Sequence, residues 1–204
     1  MDQLDIKQKT LSKLRIFSLT NNIPIITDET MNFLQQVLID NHFLDILEIG
    51  TAIGYSALAM SNKNNIIHTI EKDYTLAFLA KQFLSSFYPS IKVIWADALI
   101  YKVKQKYDFI FIDAAKVQYY KLFQKYNCYL KPHGMIICDN LNFGYRNIKF
   151  LTRSRKRIIQ KLYEFKQFLK TNKDFDNYFL NIGDGLSISW LKLFPPQNNF
   201  YEYI

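Results

Sequence analysis

Asp113, Asp139 and Asn140 are the residues of this chain whose types and positions point most directly to chemistry. Asp113 closes the apolar run Phe109-Ile110-Phe111-Ile112, and Asp139-Asn140 closes Met135-Ile136-Ile137-Cys138. Each run reads as a buried strand of a parallel sheet. Glu48, Glu71 and Asp97 hold equivalent places at the ends of three earlier runs. Acids finishing successive strands would repel one another and add nothing to a core, so a metal or a cationic ligand is expected among them. Asp113, Asp139 and Asn140 offer oxygen donors with no thiolate or imidazole, which suits a hard, partly hydrated cation such as Mg²⁺. Singly, each is also a common turn residue. His42, His68 and His133 are scattered, and none is assigned to a metal.

The elements that must position these acids begin at Leu44–Met60. Leu44, Ile46, Leu47 and Ile49 form a short strand, Gly50 and Gly54 a turn, and Ala57, Leu58 and Met60 the buried face of a helix with Ser56 at its start. This is the first βα unit of a doubly wound nucleotide-binding sheet. The glycine spacing is Gly-x-x-x-Gly rather than the Gly-x-Gly-x-x-Gly that cradles a pyrophosphate, which points to a ligand without phosphate. Glu71 ends the next strand, 23 residues after Glu48, where an acid accepts both hydroxyls of a ribose. Asp97, in Trp95-Ala96-Asp97-Ala98, either accepts from an adenine amino group or caps a turn.

Taken in order, the chain predicts an amphipathic helix over residues 2–20, with Leu4, Leu11, Leu14, Phe17 and Leu19 inward, and a second helix capped by Thr27. Strands follow at 44–49, 66–70, 91–95, 108–112 and 135–138, with helices at 76–87 and 117–130; Tyr120, Phe123 and Tyr126 turn partly inward on the latter. Pro132-His133-Gly134 reads as the turn into the fifth strand. Two further strands, 178–182 and 186–190, flank Gly183-Asp184-Gly185 as an antiparallel pair. The expected fold is α/β: a doubly wound, mostly parallel seven-stranded sheet with N-terminal helices and an antiparallel C-terminal strand pair. One domain is expected over 1–204, with N-terminal helices in 1–40, the core in 44–140, a basic segment in 141–170 and the strand pair within 178–192.

Composition narrows the setting. With 204 residues and 49% hydrophobic residues, the chain can bury a large core. No apolar run approaches the roughly 18 residues of a membrane span, so no membrane association is expected. Met1-Asp2-Gln3-Leu4-Asp5 has no basic region leading into an apolar core, so no secretion signal is expected. Cys128 and Cys138, both read as lying in apolar settings, suggest neither a disulfide nor a metal site, which fits a reducing cytoplasm. The formal charge of +8 and pI near 9.3 suit a polyanionic partner, although the Lys- and Asn-rich composition also raises charge everywhere.

Glu48-Ile49-Gly50-Thr51-Ala52-Ile53-Gly54-Tyr55-Ser56 resembles the first motif of the metal-dependent, S-adenosylmethionine-using O-methyltransferases, the family of catechol and caffeoyl-CoA O-methyltransferases. Phe111-Ile112-Asp113-Ala114-Ala115-Lys116, with Tyr119, and Cys138-Asp139-Asn140 are similar to its two metal motifs, in order. The similarity runs from about Pro24 to Trp190. It implies a Rossmann-like class I methyltransferase fold and S-adenosylmethionine plus Mg²⁺ as cofactors. It further implies Asp113, Asp139 and Asn140 as metal ligands, and Asp113 and Lys116 as catalytic, Lys116 as general base beside the oxygen that is methylated. Ile26, with neighbouring backbone, and Ser56 would hold the methionine end of the cofactor, Glu71 the ribose, and Asp97-Ala98 the adenine edge. Gly50 and Asp113 would line the cofactor site. Glu48 would orient the glycine loop or sense the sulfonium or amino group indirectly.

Within that family the chain resembles the bacterial tRNA 5-hydroxyuridine methyltransferases, on Ile112-Asp113-Ala114-Ala115-Lys116, the basic segment and Gly183-Asp184-Gly185-Leu186. That resemblance implies the wobble 5-hydroxyuridine of a tRNA anticodon loop as substrate, 5-methoxyuridine as product, and a homodimer assembled through the N-terminal helices. Residues 141–170 contain nine basic residues and only one acid, Glu164. Arg146, Arg153, Arg155, Lys156 and Arg157 are the expected RNA contacts, with Phe143, Tyr145 and Phe150 available to stack on unpaired bases. Two rival readings remain open: a methyltransferase for a small catechol-like diol, and a non-catalytic binding scaffold. An intact Asp113, Lys116, Asp139 and Asn140 set argues against the second, because a binder needs neither metal nor base.

Overall fold

A computed structural model describes residues 3–87, 89–143 and 152–196. Two helices, α1 (Gln3–Thr20) and α2 (Asp28–Asp40), precede the sheet. Then come β1 (Asp45–Ile49), α3 (Tyr55–Met60), β2 (Ile66–Glu71), α4 (Tyr74–Phe83), β3 (Ile91–Trp95), β4 (Tyr107–Ile112), α5 (Tyr119–Tyr126), β5 (Leu130–Cys138), α6 (Arg153–Thr171), β6 (Phe175–Leu180) and β7 (Leu186–Leu191). The seven strands form one sheet in the order β3-β2-β1-β4-β5-β7-β6. Five central strands run parallel, and β7 inserts antiparallel between β5 and β6. This is the doubly wound α/β architecture expected from the sequence.

The central strands are apolar on both faces, as parallel strands covered by helices must be. On one side Ile46, Phe109, Phe111 and Trp190 pack with Leu34, Val37, Ala57 and Leu58. On the other, Leu47, Ile49, Ile110 and Ile112 pack with Tyr119, Phe123, Phe165 and Leu169. Alternate residues of β1 and β4 therefore enter different layers, which is the period-two geometry of a strand. The parallel ladder continues one residue past the strands. Gly50 N donates to Ile70 O (2.9 Å), Asp113 N to Ile49 O (3.0 Å) and Asp139 N to Ile112 O (3.1 Å), so the backbone at each acid is held in register.

Several local expectations need correction. Leu4 and Leu19 are 61% and 73% exposed, so the buried stripe of α1 is narrower, resting on Leu11, Leu14 and Ser18. Ser56 does not cap α3: Gly54 does, in the left-handed region, and Ser56 sits inside the first turn. The Asp73 side chain accepts from Leu76 N (2.9 Å), which starts α4 at Tyr74 rather than Leu76. The helix expected over 117–130 is a shorter α5 with 3-10 turns at both ends, and Tyr120 points outward. Pro132-His133-Gly134 lies within β5; the register with β4 shifts there, and a proline without an N–H is tolerated in a strand at such an irregularity. The sixth strand lies three residues earlier at its start than expected, and Cys128 is exposed while Cys138 is buried. Among the described residues, no helix is long and apolar enough to cross a membrane.

Of the described glycines, the one with the closest approach lies where β1 ends. Gly50 has φ +100°, and a Cβ there would stand 1.9 Å from the carbonyl oxygen of Asp113. Side chains disfavour that backbone, and the close approach leaves no room for one. Gly50→Ala should therefore cost about 2–5 kcal/mol from left-handed strain plus overpacking. Denaturant unfolding checks this, and unchanged stability would contradict the close approach of the two strand ends.

Candidate active site

A cavity of about 500 Å³ opens beyond the carboxyl ends of β1, β2, β3 and β4, and Asn140 after β5 reaches its wall. That is where ligands enter a doubly wound sheet. Its wall brings together Ile26, Gly50, Ser56, Glu71, Asp97, Ala98, Asp113, Lys116 and Asn140, residues drawn from a span of 115 positions. Glu48 and Asp139 lie behind this wall, at 0% and 1% exposure.

At one end, acids organise backbone. Glu71 accepts from Ala52 N through Oε2 and from Asp73 N through Oε1, both at 2.9 Å, so it clamps the glycine loop to the start of α4. Asp97 Oδ1 accepts from Leu99 N (2.7 Å), closing the turn that presents Ala98. That turn is pinned from beneath by α5. Lys125 Nζ donates to Ala98 O (2.7 Å) and Tyr101 O (2.6 Å), and the Tyr126 hydroxyl donates to Ala98 O (2.8 Å). Pro24, Ile25 and Ile26, from the segment before α2, also line the cavity.

Beneath the loop runs a buried chain of hydroxyls. Thr69 Oγ1 donates to Glu48 Oε2 at 2.5 Å and lies 2.5 Å from Thr51 Oγ1. Since a hydroxyl carries one proton, Thr51 must be the donor to Thr69. Glu48 is therefore tied to the loop rather than exposed in the cavity. Burial is the main force on its carboxyl, pushing it up to about 8; the neighbouring acids Asp113 and Glu71 add to this, against the opposing pull of hydrogen bonds from Ser56 and Thr69.

The other end gathers Asp113, Asp139, Asn140 and Lys116. Burial raises the Asp113 carboxyl, opposed by Lys116 and reinforced by Asp184. Burial, then the charge of Asp113, pushes Asp139 up to about 7. Asp139 Oδ1 accepts from Asn140 N (2.6 Å), and its carbonyl accepts from the buried Tyr119 hydroxyl (2.9 Å). Asn140 has φ +57°, a left-handed conformation that asparagine adopts more readily than most residues. Its Oδ1 accepts from Lys116 Nζ at 2.6 Å, and the same ammonium lies 5.6 Å from the centre of the Phe143 ring.

Two residues without an assigned role complete this end. Asp184 reaches the cavity wall and adds a third negative charge near Asp113 and Asp139. Its turn is fastened by Asn142 N to Asp184 O (2.8 Å), Leu141 N to Gly185 O (2.9 Å) and Gly183 N to Glu29 Oε2 (3.0 Å). The Gly-Asp-Gly signature marked a turn, but only the β5–β7 pairing brings it beside Asp139. Tyr119 likewise enters through the fold, as the buried support of Asp139. Arg153, Arg155, Lys156 and Arg157 are all exposed on the first turns of α6. Arg146, Tyr145 and Phe150 lie outside the described residues.

The Glu48 carboxyl gives a pH signature. Its folded value lies above the unfolded carboxyl value, so the stability it contributes is complete below pH of about 4.5 and is lost as pH rises towards 8. Glu48→Gln should therefore flatten part of the decline in melting temperature between pH 5 and 8, read by calorimetry in chelator-treated buffer. A variant whose decline matches wild type would show Glu48 ionised in the fold.

A family model described as O-methyltransferase matches residues 3–192. Over 156 residues the chain is 31% identical to the tapetum-specific methyltransferase 1 of Arabidopsis thaliana, spanning 70% of this chain and 67% of that protein. A Staphylococcus aureus protein provisionally assigned as a caffeoyl-CoA O-methyltransferase superposes with a TM-score of 0.82 at 33% identity, covering 91% of this chain and 95% of its own. An O-methyltransferase from Bacillus cereus, solved in complex with SAH, shares the fold with a TM-score of 0.76 at 22% identity, over 90% of this chain and 91% of that one. With the model match spanning all seven strands and the site between them, the chain belongs to the O-methyltransferase family.

Proposed function

We propose that this enzyme transfers a methyl group from S-adenosylmethionine to the 5-hydroxyl of 5-hydroxyuridine at the wobble position of tRNA, giving 5-methoxyuridine. The observation that carries the reaction type is a single cavity with ribose- and adenine-suited acids, Glu71 and Asp97, at one end and the Asp113, Asn140 and Lys116 cluster at the other. A nucleoside-bearing methyl donor held at its nucleoside by Glu71 and Asp97 would have its reactive end towards the cluster.

The donor set fits a hard cation. Among the described residues no three His, Cys, Asp or Glu side chains group as a metal site. Two carboxylates and one amide do converge, and both carboxyls are raised, by burial first and by neighbouring acids second. A Mg²⁺ ion bound by Asp113, Asp139 and Asn140 would supply Lewis-acid activation of the substrate hydroxyl. The remaining work falls to the chain. Lys116, as its neutral amine, takes the hydroxyl proton at Nζ. The oxygen then forms the new O–C bond as the S–C bond breaks, and the sulfonium leaves as a neutral thioether. Ser56, Ile26 and the loop held by Glu71 orient the donor so that attack is in line. Phe143, beside Lys116, gives a flat ring a surface to lie on.

RNA is favoured by charge placement. The first turn of α6 carries Arg153, Arg155 and Lys156 and no acid, the reverse of what a helix dipole prefers. Phosphates would offset that cost. A small catechol-like diol is the second reading, favoured by Phe143 and by the assignment of the S. aureus relative. A homodimer is proposed through α1, which leaves Leu4, Ile16 and Leu19 exposed.

Mass spectrometry of nucleosides from 5-hydroxyuridine-containing tRNA, incubated with enzyme and S-adenosylmethionine, tests the substrate. A shift to 5-methoxyuridine is expected; methylation of catechols with tRNA untouched would overturn the RNA reading. Asp139→Ala should lower turnover by at least about 100-fold, several kcal/mol of barrier, while S-adenosylmethionine affinity changes little. Full turnover of that variant after chelation would remove the metal from the mechanism.

A further inference from the structure

Lys116 stands in the walls of two cavities. Beyond the active-site cavity, a second cleft of about 420 Å³ opens between α5 and α6, walled by Tyr120, Lys121, Arg157, Lys161 and Glu164. Its only carboxylate, Glu164, is already engaged, accepting from Lys161 Nζ at 2.6 Å and from Gln160 Nε2 at 3.2 Å. Lys121 and Arg157 have no carboxylate partner among the described residues. Arg157 and Lys161 are one turn apart on the same face of α6, where like charges repel, and Lys121 faces them from α5. With its one acid already paired to Lys161, the cleft keeps an excess of positive charge at Lys121 and Arg157, which is the electrostatic complement of an anion.

The walls narrow the class of anion. The cleft is larger than a lone inorganic anion needs, and the side chain of Tyr120 is 44% exposed in its wall, its ring held edge-on to Phe168 at 4.8 Å. A rigid aromatic beside cations is the pairing that takes a base together with its phosphate. Because Lys116 is common to both spaces, whatever occupies the cleft lies next to the group presented to Asp113 and Asn140.

We propose that this cleft binds a phosphate group of the substrate together with the nucleotide that carries it, adjacent to the nucleoside being methylated. The inference rests on the nucleic-acid reading above and names where the substrate's phosphate sits. A phosphodiester within RNA and the phosphate of a free nucleotide share this chemistry.

The test uses wild type and the Lys121→Ala/Lys161→Ala double variant. Binding is measured by fluorescence anisotropy with a single-stranded RNA oligonucleotide and by calorimetry with a 5′-mononucleotide, each at about 50 and 200 mM salt. S-adenosylmethionine affinity, measured alongside, verifies that the variant is folded. We expect RNA affinity to fall about tenfold or more at low salt. The slope of log affinity against log salt should flatten by about 0.7 for each phosphate that the variant no longer neutralises. A variant with wild-type slope and affinity would overturn the cleft while leaving the RNA reading standing. Wild type without salt-sensitive RNA affinity, but binding the mononucleotide through Lys121 and Lys161, would uphold the cleft and overturn RNA as the substrate. Absence of both kinds of binding would overturn cleft and RNA reading together.

Discussion

Asp113 and Asp139 leave adjacent parallel strands, β4 and β5, at the paired positions Ile112 and Cys138, and the sheet gives their carboxylates nowhere to diverge. The opposite, amino end of the same sheet shows how the fold treats acids that serve only structure. There Lys131 bridges Asp45 at 2.5 Å and Asp108 at 3.1 Å, tying three strands together. At the carboxyl end the nearest ammonium, Lys116, donates instead to the Asn140 amide, while Asp184 adds further negative charge. Burial raises both carboxyls, the neighbouring acids add to it, and the charge of Lys116 offsets it only in part. Two buried carboxylates side by side are costly to keep charged unless a cation joins them, and raised carboxyls of this kind cluster at functional sites.

The surrounding structure is arranged to hold that cluster still. Gly50 lets β1 run directly against the Asp113 backbone, Tyr119 fixes the Asp139 carbonyl, and the Gly183–Gly185 turn brings Asp184 in from the last hairpin. Tyr119 is itself packed edge-on against Phe165 of α6 at 5.8 Å. The helix carrying the exposed cations thereby buttresses the residue that supports Asp139. Positioning groups to within fractions of an ångström is what converts binding into rate, and here strand ends, buried side chains and one hydrogen-bonded turn supply it.

Much of this was legible in the chain because parallel strands write themselves as apolar runs and acids at their ends are chemically conspicuous. That signal alone puts strands at Leu44–Ile49, Ile91–Trp95 and Asp108–Ile112, within a residue of β1, β3 and β4. Thr27 was recognisable as a cap because its hydroxyl meets Thr30 N, an interaction three residues in reach. What escaped depended on distant partners. Asp184 becomes part of the site only through β7 pairing with β5, and Tyr119 only because α5 packs under β4 and β5. Pro132-His133-Gly134 looked like a turn because its residues are turn formers, whereas the sheet absorbs them as an irregularity in β5. Leu4 and Leu19 fitted a helical spacing, but that spacing carries no information about how wide a face the fold covers. The basic character of α6 was plain in the sequence; the convergence of Lys121 with Arg157 and Lys161 on one cleft required the packing of two helices.

Asp113 and Asp139, with carboxyls raised by burial, are placed to receive a cation. Calorimetric titration of the protein with Mg²⁺ at pH 7, in two buffers of different ionisation enthalpy, measures this directly. With Asp139 pushed up to about 7, binding should release protons to the buffer, so the two heats differ and affinity rises between pH 6 and 8. Equal heats in both buffers, or an affinity for Mg²⁺ that does not change with pH, would contradict it.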